Sequence, residues 1–333
     1  MKLLEYTKHI KSKVDEYMSK KVIGPINVKK LYDASYHLIG AGGKRLRPTL
    51  VVLGARIAGA QEDQVIPAAA SVELMHTFSL VHDDIMDRDE YRRGVPTVHK
   101  LWGEPLAILA GDLLFAKAYE ALLDVEQYGI PPDRIVEATK ILTWIAVTLA
   151  EGQTLDMNFE ERMDVSEEEY LEMIEKKTAA MFKGSLMIGA ILGGGAKETV
   201  KKLGEFGRLT GIAFQIQDDI LGIIGDEKVL GKPVWSDLRE GKKTIIIIHA
   251  LNNATADQRK QILSVLGRRD ASLDELKQVA GILKSLGSID YAIGKAKEYT
   301  MKALSILESI TTSDSEAKDM LKEMAMFIIK RRY

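Results

Sequence analysis

The chain has 333 residues, 46% of them hydrophobic and 28% charged, and its charges nearly cancel to a formal −2. That balance leaves no basic field for holding a nucleic acid, and the absence of cysteine excludes disulfides and thiolate metal ligands. No apolar run approaches the roughly 20 residues that a membrane helix needs, so small molecules or protein are the expected partners.

The start, MKLLEYTKHIKSK, alternates apolar and charged residues and has no apolar core of signal-peptide length, which makes the cytoplasm the expected compartment. From there the apolar spacing is helical nearly throughout. Brief glycine- and proline-rich breaks fall at 40–43, 94–96, 103–105, 131–132, 193–195 and 231–233. The first break opens Gly42-Gly43-Lys44-Arg45-Leu46-Arg47-Pro48, a flexible turn leading into a basic run. Leu74, Phe78, Val81 and Ile85 then recur on one face of a helix.

That helix runs into His82-Asp83-Asp84-Ile85-Met86-Asp87. Asp83 and Asp87 are one turn apart, with β-carbons roughly 6 Å from each other, and two like charges so placed repel unless something positive lies between them. Carboxylates with no cysteine among them are hard ligands suited to Mg²⁺. A solvated acidic helix face explains a single motif of this kind equally well. Arg92 and Arg93 follow, ahead of a Gly94-Val95-Pro96 turn; on a helix, adjacent positions point roughly 100° apart, so the pair can serve two neighbouring anions.

Further on, Ser166 with Glu169 reads as a capping box that starts a helix. Asp218-Asp219 lies inside Phe214-Gln215-Ile216-Gln217-Asp218-Asp219-Ile220-Leu221, an apolar helical run in which two ionised aspartates are costly unless paired or metal-bound. Lys177, Lys232 and Lys242 lie near other breaks. Strand patterns are almost absent: Ile245 to Ile248 is the best candidate, and a buried helix accounts for it as well. No linker or repeat appears, so residues 1–333 are read as one all-α domain, although the length alone favours two.

These motifs make the sequence recognisable. GGKRLRP, DDIMD followed by RRG and PT, EGQTLDM, KKTA, FQIQDD and the GKP…SDLREGKKT stretch occur in order between Gly42 and Lys243. In this the chain resembles the trans-isoprenyl diphosphate synthases, most of all the archaeal-type geranylgeranyl diphosphate synthases. The resemblance implies a single polyprenyl synthetase domain, an antiparallel helical bundle around a deep central cavity, paired as a homodimer. It implies a prenyltransferase that condenses isopentenyl diphosphate with an allylic diphosphate, using several Mg²⁺ ions for which Mn²⁺ can substitute. Asp83, Asp87 and Asp218 would hold the metal, with Asp84 and Asp219 in support. Lys44, Arg47, His76 and Arg93 would hold isopentenyl diphosphate, and Arg92, Lys177, Thr178, Gln215, Lys232 and Lys242 the allylic diphosphate.

Phe78 lies five residues before Asp83, roughly 7.5 Å along the helix axis. The resemblance makes it a chain-length stop beside the small Ser79, giving geranylgeranyl diphosphate, with farnesyl diphosphate as the runner-up. Phe78 also shares the stripe of Leu74, Val81 and Ile85, where a packing role is the alternative. One departure stands out: the second acidic motif reads Asp218-Asp219-Ile220-Leu221-Gly222, so the third carboxylate common in this family is missing. Asp226 sits roughly 80° around the helix from Asp218 and replaces it poorly. A terpene cyclase or a non-catalytic subunit of the same fold are the rival readings. A phosphohydrolase built on His82-Asp83 would need further His and Asp ligands in suitable places, and the chain has only six histidines.

Overall fold

The computed structural model describes residues 2–225 and 235–330. The chain is all-α. In order the helices are α1 (Lys2–Lys21), α2 (Lys29–Gly40), α3 (Leu46–Ile57), α4 (Ile66–Asp87), α5 (Val98–Trp102), α6 (Glu104–Leu123), α7 (Pro132–Glu161), α8 (Glu167–Ile174) and α9 (Ala180–Leu192). They continue with α10 (Lys197–Ile224), α11 (Ser236–Glu240), α12 (Ile245–Asn253), α13 (Ala256–Val265), α14 (Leu273–Ser285), α15 (Ser288–Glu308) and α16 (Ser315–Lys330). Among the described residues the strands are limited to β1 (Tyr91–Arg92) and β2 (Val95–Pro96), an antiparallel pair. No helix among the described residues is long and apolar enough to cross a membrane.

The fold divides into two compact units. The first comprises Met1–Val147, Ala180–Arg208 and Leu304–Met324. Its centre is α3, whose sequence LRPTLVVLGARI is apolar on most of its circumference and is therefore buried on most sides, with Leu50, Val51, Val52, Leu53 and Ala55 fully enclosed. Helix α9 packs on α3 at backbone distance because Gly189 has no side chain: a β-carbon there would stand 1.9 Å from the Val51 carbonyl oxygen. Helix α4 packs along α6 in the same unit.

The second unit comprises Thr148–Ala179, Leu209–Ala303 and Ala325–Tyr333. Its core gathers Phe159, Tyr170 and Ile174 with Ile212, Ile216 and Ile220 of α10 and Leu276 of α14. Ile245 to Ile248 belong to α12 rather than to a strand, and all four are buried in this core. Fully burying each such side chain is worth about 1.5–3 kcal/mol, whichever secondary structure carries it, which is why the run alone left both readings open. Ser166 opens α8 with the expected box: its hydroxyl accepts from Glu169 N–H at 3.2 Å, and Glu169 Oε2 accepts from Ser166 N–H at 2.9 Å.

Candidate active site

In the first unit the acidic motif closes α4. Asp83 and Asp87 are partly exposed one turn apart, whereas Asp84 is buried. The helix stops at Arg88, whose left-handed backbone (φ 59°) lets its N–H reach the carbonyls of Asp84 and Ile85. The chain then turns through the β1–β2 hairpin, with positive φ at both central residues, Arg93 (55°) and Gly94 (77°), as a type I′ turn requires.

This hairpin aims the two arginines apart. Arg92 bonds Asp84 through Nε and reaches Asp89 at 3.3 Å and Asp83 at 3.8 Å. Arg93 turns the other way, donating from Nη1 to the carbonyls of Leu38 (3.0 Å) and Gly42. The expectation that they diverge as successive helical positions is therefore corrected: they diverge because one lies in a strand and the other in its turn.

Arg47, His76 and Arg93 come from three different elements. Arg45, left-handed at φ 48°, turns its side chain inward, where it is fully buried. It donates to Asp15 (2.7 Å), Glu73 (2.7 Å) and the Ile39 carbonyl (2.9 Å). Lys44 remains exposed in the loop before α3, and Arg47 lies in the first turn of that helix. Arg47 donates from Nη1 to His76 Nε2 at 3.1 Å, with its guanidinium 5.3 Å over the Phe182 ring. His76 must be neutral to accept. Burial, followed by the positive charges of Arg47, Arg93, Arg92 and Arg45, holds its pKa well below the ordinary 6.5. On the next turn Ser79 donates to the His76 carbonyl at 2.8 Å. Phe78 is partly exposed and packs edge-on against His82 (5.0 Å) and Phe115 (5.2 Å), while Leu74 and Val81 on its stripe are buried.

In the second unit α8 passes into a π-helical turn, Glu175–Ala179, which carries Lys177 and Thr178. Such turns are rare and concentrate at functional sites. Gly152 on α7 makes room for it, since a β-carbon there would stand 2.3 Å from Lys177 N and 2.7 Å from Lys177 Cα. Lys177 donates to Asp156 at 2.6 Å, and Lys242 donates to the same carboxylate oxygen at 2.9 Å and to Glu160 at 2.6 Å. Burial works to raise the Asp156 carboxyl, but the two ammonium groups override it and hold it below the usual carboxylate range. Thr178 donates to Gln215 Oε1 at 2.7 Å, and Gln215 Nε2 donates to Asp219 Oδ1 at 2.9 Å. Tyr170 donates to the other oxygen of Asp219 at 2.5 Å. Asp219 is thus turned inward, while Asp218 is partly exposed. Lys232 and Asp226 lie outside the described residues.

Three participants were not singled out from the sequence. Asp156 lies in EGQTLDM but acquires meaning only when the fold brings Lys177 and Lys242 to it. Arg45 and Glu73 form a buried ion pair that supports the loop carrying Lys44, and Glu73 also lies 3.8 Å from Arg93.

The donors fit a hard divalent cation. Both acidic pairs offer carboxylate oxygen only, and Oδ2 of buried Asp84 has no hydrogen-bond partner. Burial pushes the Asp84 carboxyl up to about 7 despite Arg92, with the charges of Asp89 and Asp83 adding to the rise. Burial likewise pushes Asp219 up to about 8, with the charges of Asp237 and Asp218 contributing. Among the described residues no three His, Cys, Asp or Glu side chains form a protein-only cage.

An all-helical scaffold that carries two acidic motifs, with a cluster of basic side chains in each unit, defines the class to which this chain is compared. Residues 28–283 match the Polyprenyl synthetase family model, and the chain belongs to that family. It is 48% identical over 306 residues to the geranylgeranyl diphosphate synthase of Saccharolobus solfataricus, covering 92% of each chain. It is 46% identical over 308 residues to the geranylfarnesyl diphosphate synthase of Aeropyrum pernix, covering 92% of this chain and 96% of that one. The crystal structure of a Caulobacter crescentus polyprenyl synthase, complexed with calcium and isoprenyl diphosphate, superposes with a TM-score of 0.89 at 30% identity, over 99% of this chain and 97% of that chain.

Proposed function

We propose that the protein condenses isopentenyl diphosphate with allylic diphosphates and releases geranylgeranyl diphosphate. The observation that carries this reading is that Arg92 and Arg93 aim apart after the first acidic motif, so that each can serve a different anion, while Lys177 and Lys242 converge on Asp156 in the second unit. A reaction between two diphosphates needs two such anion sites. The named activities of the two relatives support the class of reaction.

Asp83, Asp87 and Asp218 would hold the divalent cations, Mg²⁺ with Mn²⁺ able to substitute, while Asp84 and Asp219 support them from within. When bound, these ions supply positive charge to the departing diphosphate. Arg92, Lys177, Lys232 and Lys242 bind the allylic diphosphate and donate to oxygens whose charge grows as the C–O bond breaks. Thr178 and Gln215 fix the orientation of that site. Lys44, Arg47, Arg93 and neutral His76 hold the isopentenyl diphosphate so that its double bond meets the allylic cation. A C–C bond forms, and loss of a proton from the adduct, with the released diphosphate as base, restores a double bond. No side-chain nucleophile takes part.

Phe78 stops the growing tail beside the small Ser79. The protein works in the cytoplasm as a homodimer, for which Ile108, Leu109 and Leu123, exposed along α6, provide an apolar face. Incubation of the purified protein with labelled isopentenyl diphosphate and dimethylallyl, geranyl or farnesyl diphosphate tests the reading. Dephosphorylated products should run as geranylgeraniol; no incorporation with any primer would end the proposal.

A further inference from the structure

Helix α10 carries no side chain at the position one turn beyond Asp218. That position is Gly222, which is buried and, at i+4, lies on the Asp218 face of the helix. Its space is filled from another element. A β-carbon built at Gly222 would stand 2.8 Å from Oδ2 of Asp237 and 3.6 Å from its Cγ. A carboxyl oxygen of Asp237 thus lies against the space in which a side chain at 222 would begin. The Asp237 carboxylate therefore occupies the neighbourhood in which an aspartate at 222 would carry its own.

The backbone on both sides holds it there. Trp235, left-handed at φ 66°, donates its N–H to the Gly222 carbonyl at 2.9 Å and its indole N–H to the Ile223 carbonyl at 2.9 Å. These satisfy carbonyls that the last turn of α10 would otherwise leave open. After Asp237, the Lys242 N–H returns to the Asp237 carbonyl at 2.9 Å. The end of α10 also carries the negative pole of the helix, which favours a cation nearby. Asp219 has no share in this face, because its two oxygens already accept from Gln215 and Tyr170.

We propose that Asp237 supplies the carboxylate that position 222 lacks, and that with Asp218 it forms the cation-holding face of the second acidic motif. This rests on the prenyltransferase reading. Gly222 then is not a lost ligand but the gap that admits one, and any side chain there would displace Asp237. The two carboxylates reach the usual complement for Mg²⁺, the remainder of the shell being water and diphosphate oxygen.

The test is Mn²⁺ binding by the full-length protein, titrated by electron paramagnetic resonance with inorganic diphosphate present and no prenyl substrate. Asp237→Asn should weaken binding about tenfold or more, the usual scale for groups that support a metal. Gly222→Ala, which leaves every carboxylate in the chain, should reproduce the loss by pushing Asp237 away. Gly222→Asp in the Asp237→Asn background should restore binding. Melting curves establish that each variant is folded. Unchanged Mn²⁺ affinity in folded Asp237→Asn, or a loss that Gly222→Asp does not repair, overturns the assignment while leaving wild-type prenyl transfer intact. Wild type that binds no Mn²⁺ with diphosphate takes the proposed function down with it.

Discussion

Phe78 presents a partly exposed ring to His82 and Phe115, while its stripe neighbours Leu74 and Val81 are buried. A ring used only for packing would be enclosed with them; this one keeps a free surface below the first acidic motif. Phe78→Ala should therefore shift the dephosphorylated products to chains longer than wild type, read by chromatography, and unchanged length with lowered thermal stability would assign the ring to the core. His76 carries a second residue-scale expectation. Its folded pKa is held well below 6.5, so between the two values the unfolded chain binds the proton that the folded chain refuses. Its contribution is fully present above about pH 6.5 and is lost as pH falls towards the folded value. The melting temperature of wild type should fall more steeply than that of His76→Gln from about pH 7 to 5; parallel curves would show that His76 has no depressed pKa. At this scale the sequence was readable where spacing alone sets geometry, as for Asp83 and Asp87. It was silent on Arg45, whose inward turn depends on a left-handed backbone angle that nothing in a run of basic residues announces.

Two short elements organise the basic groups, and neither has a periodic signature. The β1–β2 hairpin is too brief for an alternating pattern, yet its turn separates Arg92 from Arg93. The π-helical turn at Glu175–Ala179 is a single turn inside a longer helical stretch, too short to show a period of its own in the sequence. What fixes it is Gly152, on a different helix and distant in sequence. Its missing side chain lets the backbone of Lys177 approach. Gly152→Ala should cost about 1–3 kcal/mol, because the atoms in the way are backbone and cannot rotate aside. It should raise the KM for the allylic diphosphate, since Lys177 and Thr178 move, with little effect on the KM for isopentenyl diphosphate. Equal changes in both constants would mean that the turn merely supports the unit. The long helices, by contrast, were plain from their apolar spacing, and the capping box at Ser166 marked the start of α8 correctly.

For the whole molecule, the two acidic motifs fall in separate compact units, each with its own core. Neither core depends on the partly exposed carboxylates of Asp83, Asp87 or Asp218, so these groups can be removed without unfolding the chain. If the proposed reaction draws on both motifs at once, Asp83→Ala and Asp218→Ala should each lower turnover about a hundredfold or more, the scale of losing electrostatic stabilisation of a leaving group. The far-ultraviolet circular dichroism of each should match wild type. Groups that act on one transition state are strongly non-additive, so the double variant should lose far less than the product of the two single losses. Removing divalent metal with EDTA should bring wild type down to the level of the variants, and added Mg²⁺ should restore wild type alone. Full activity after chelation would break the metal reading. Losses that multiply in the double variant would show instead that the two motifs serve independent steps.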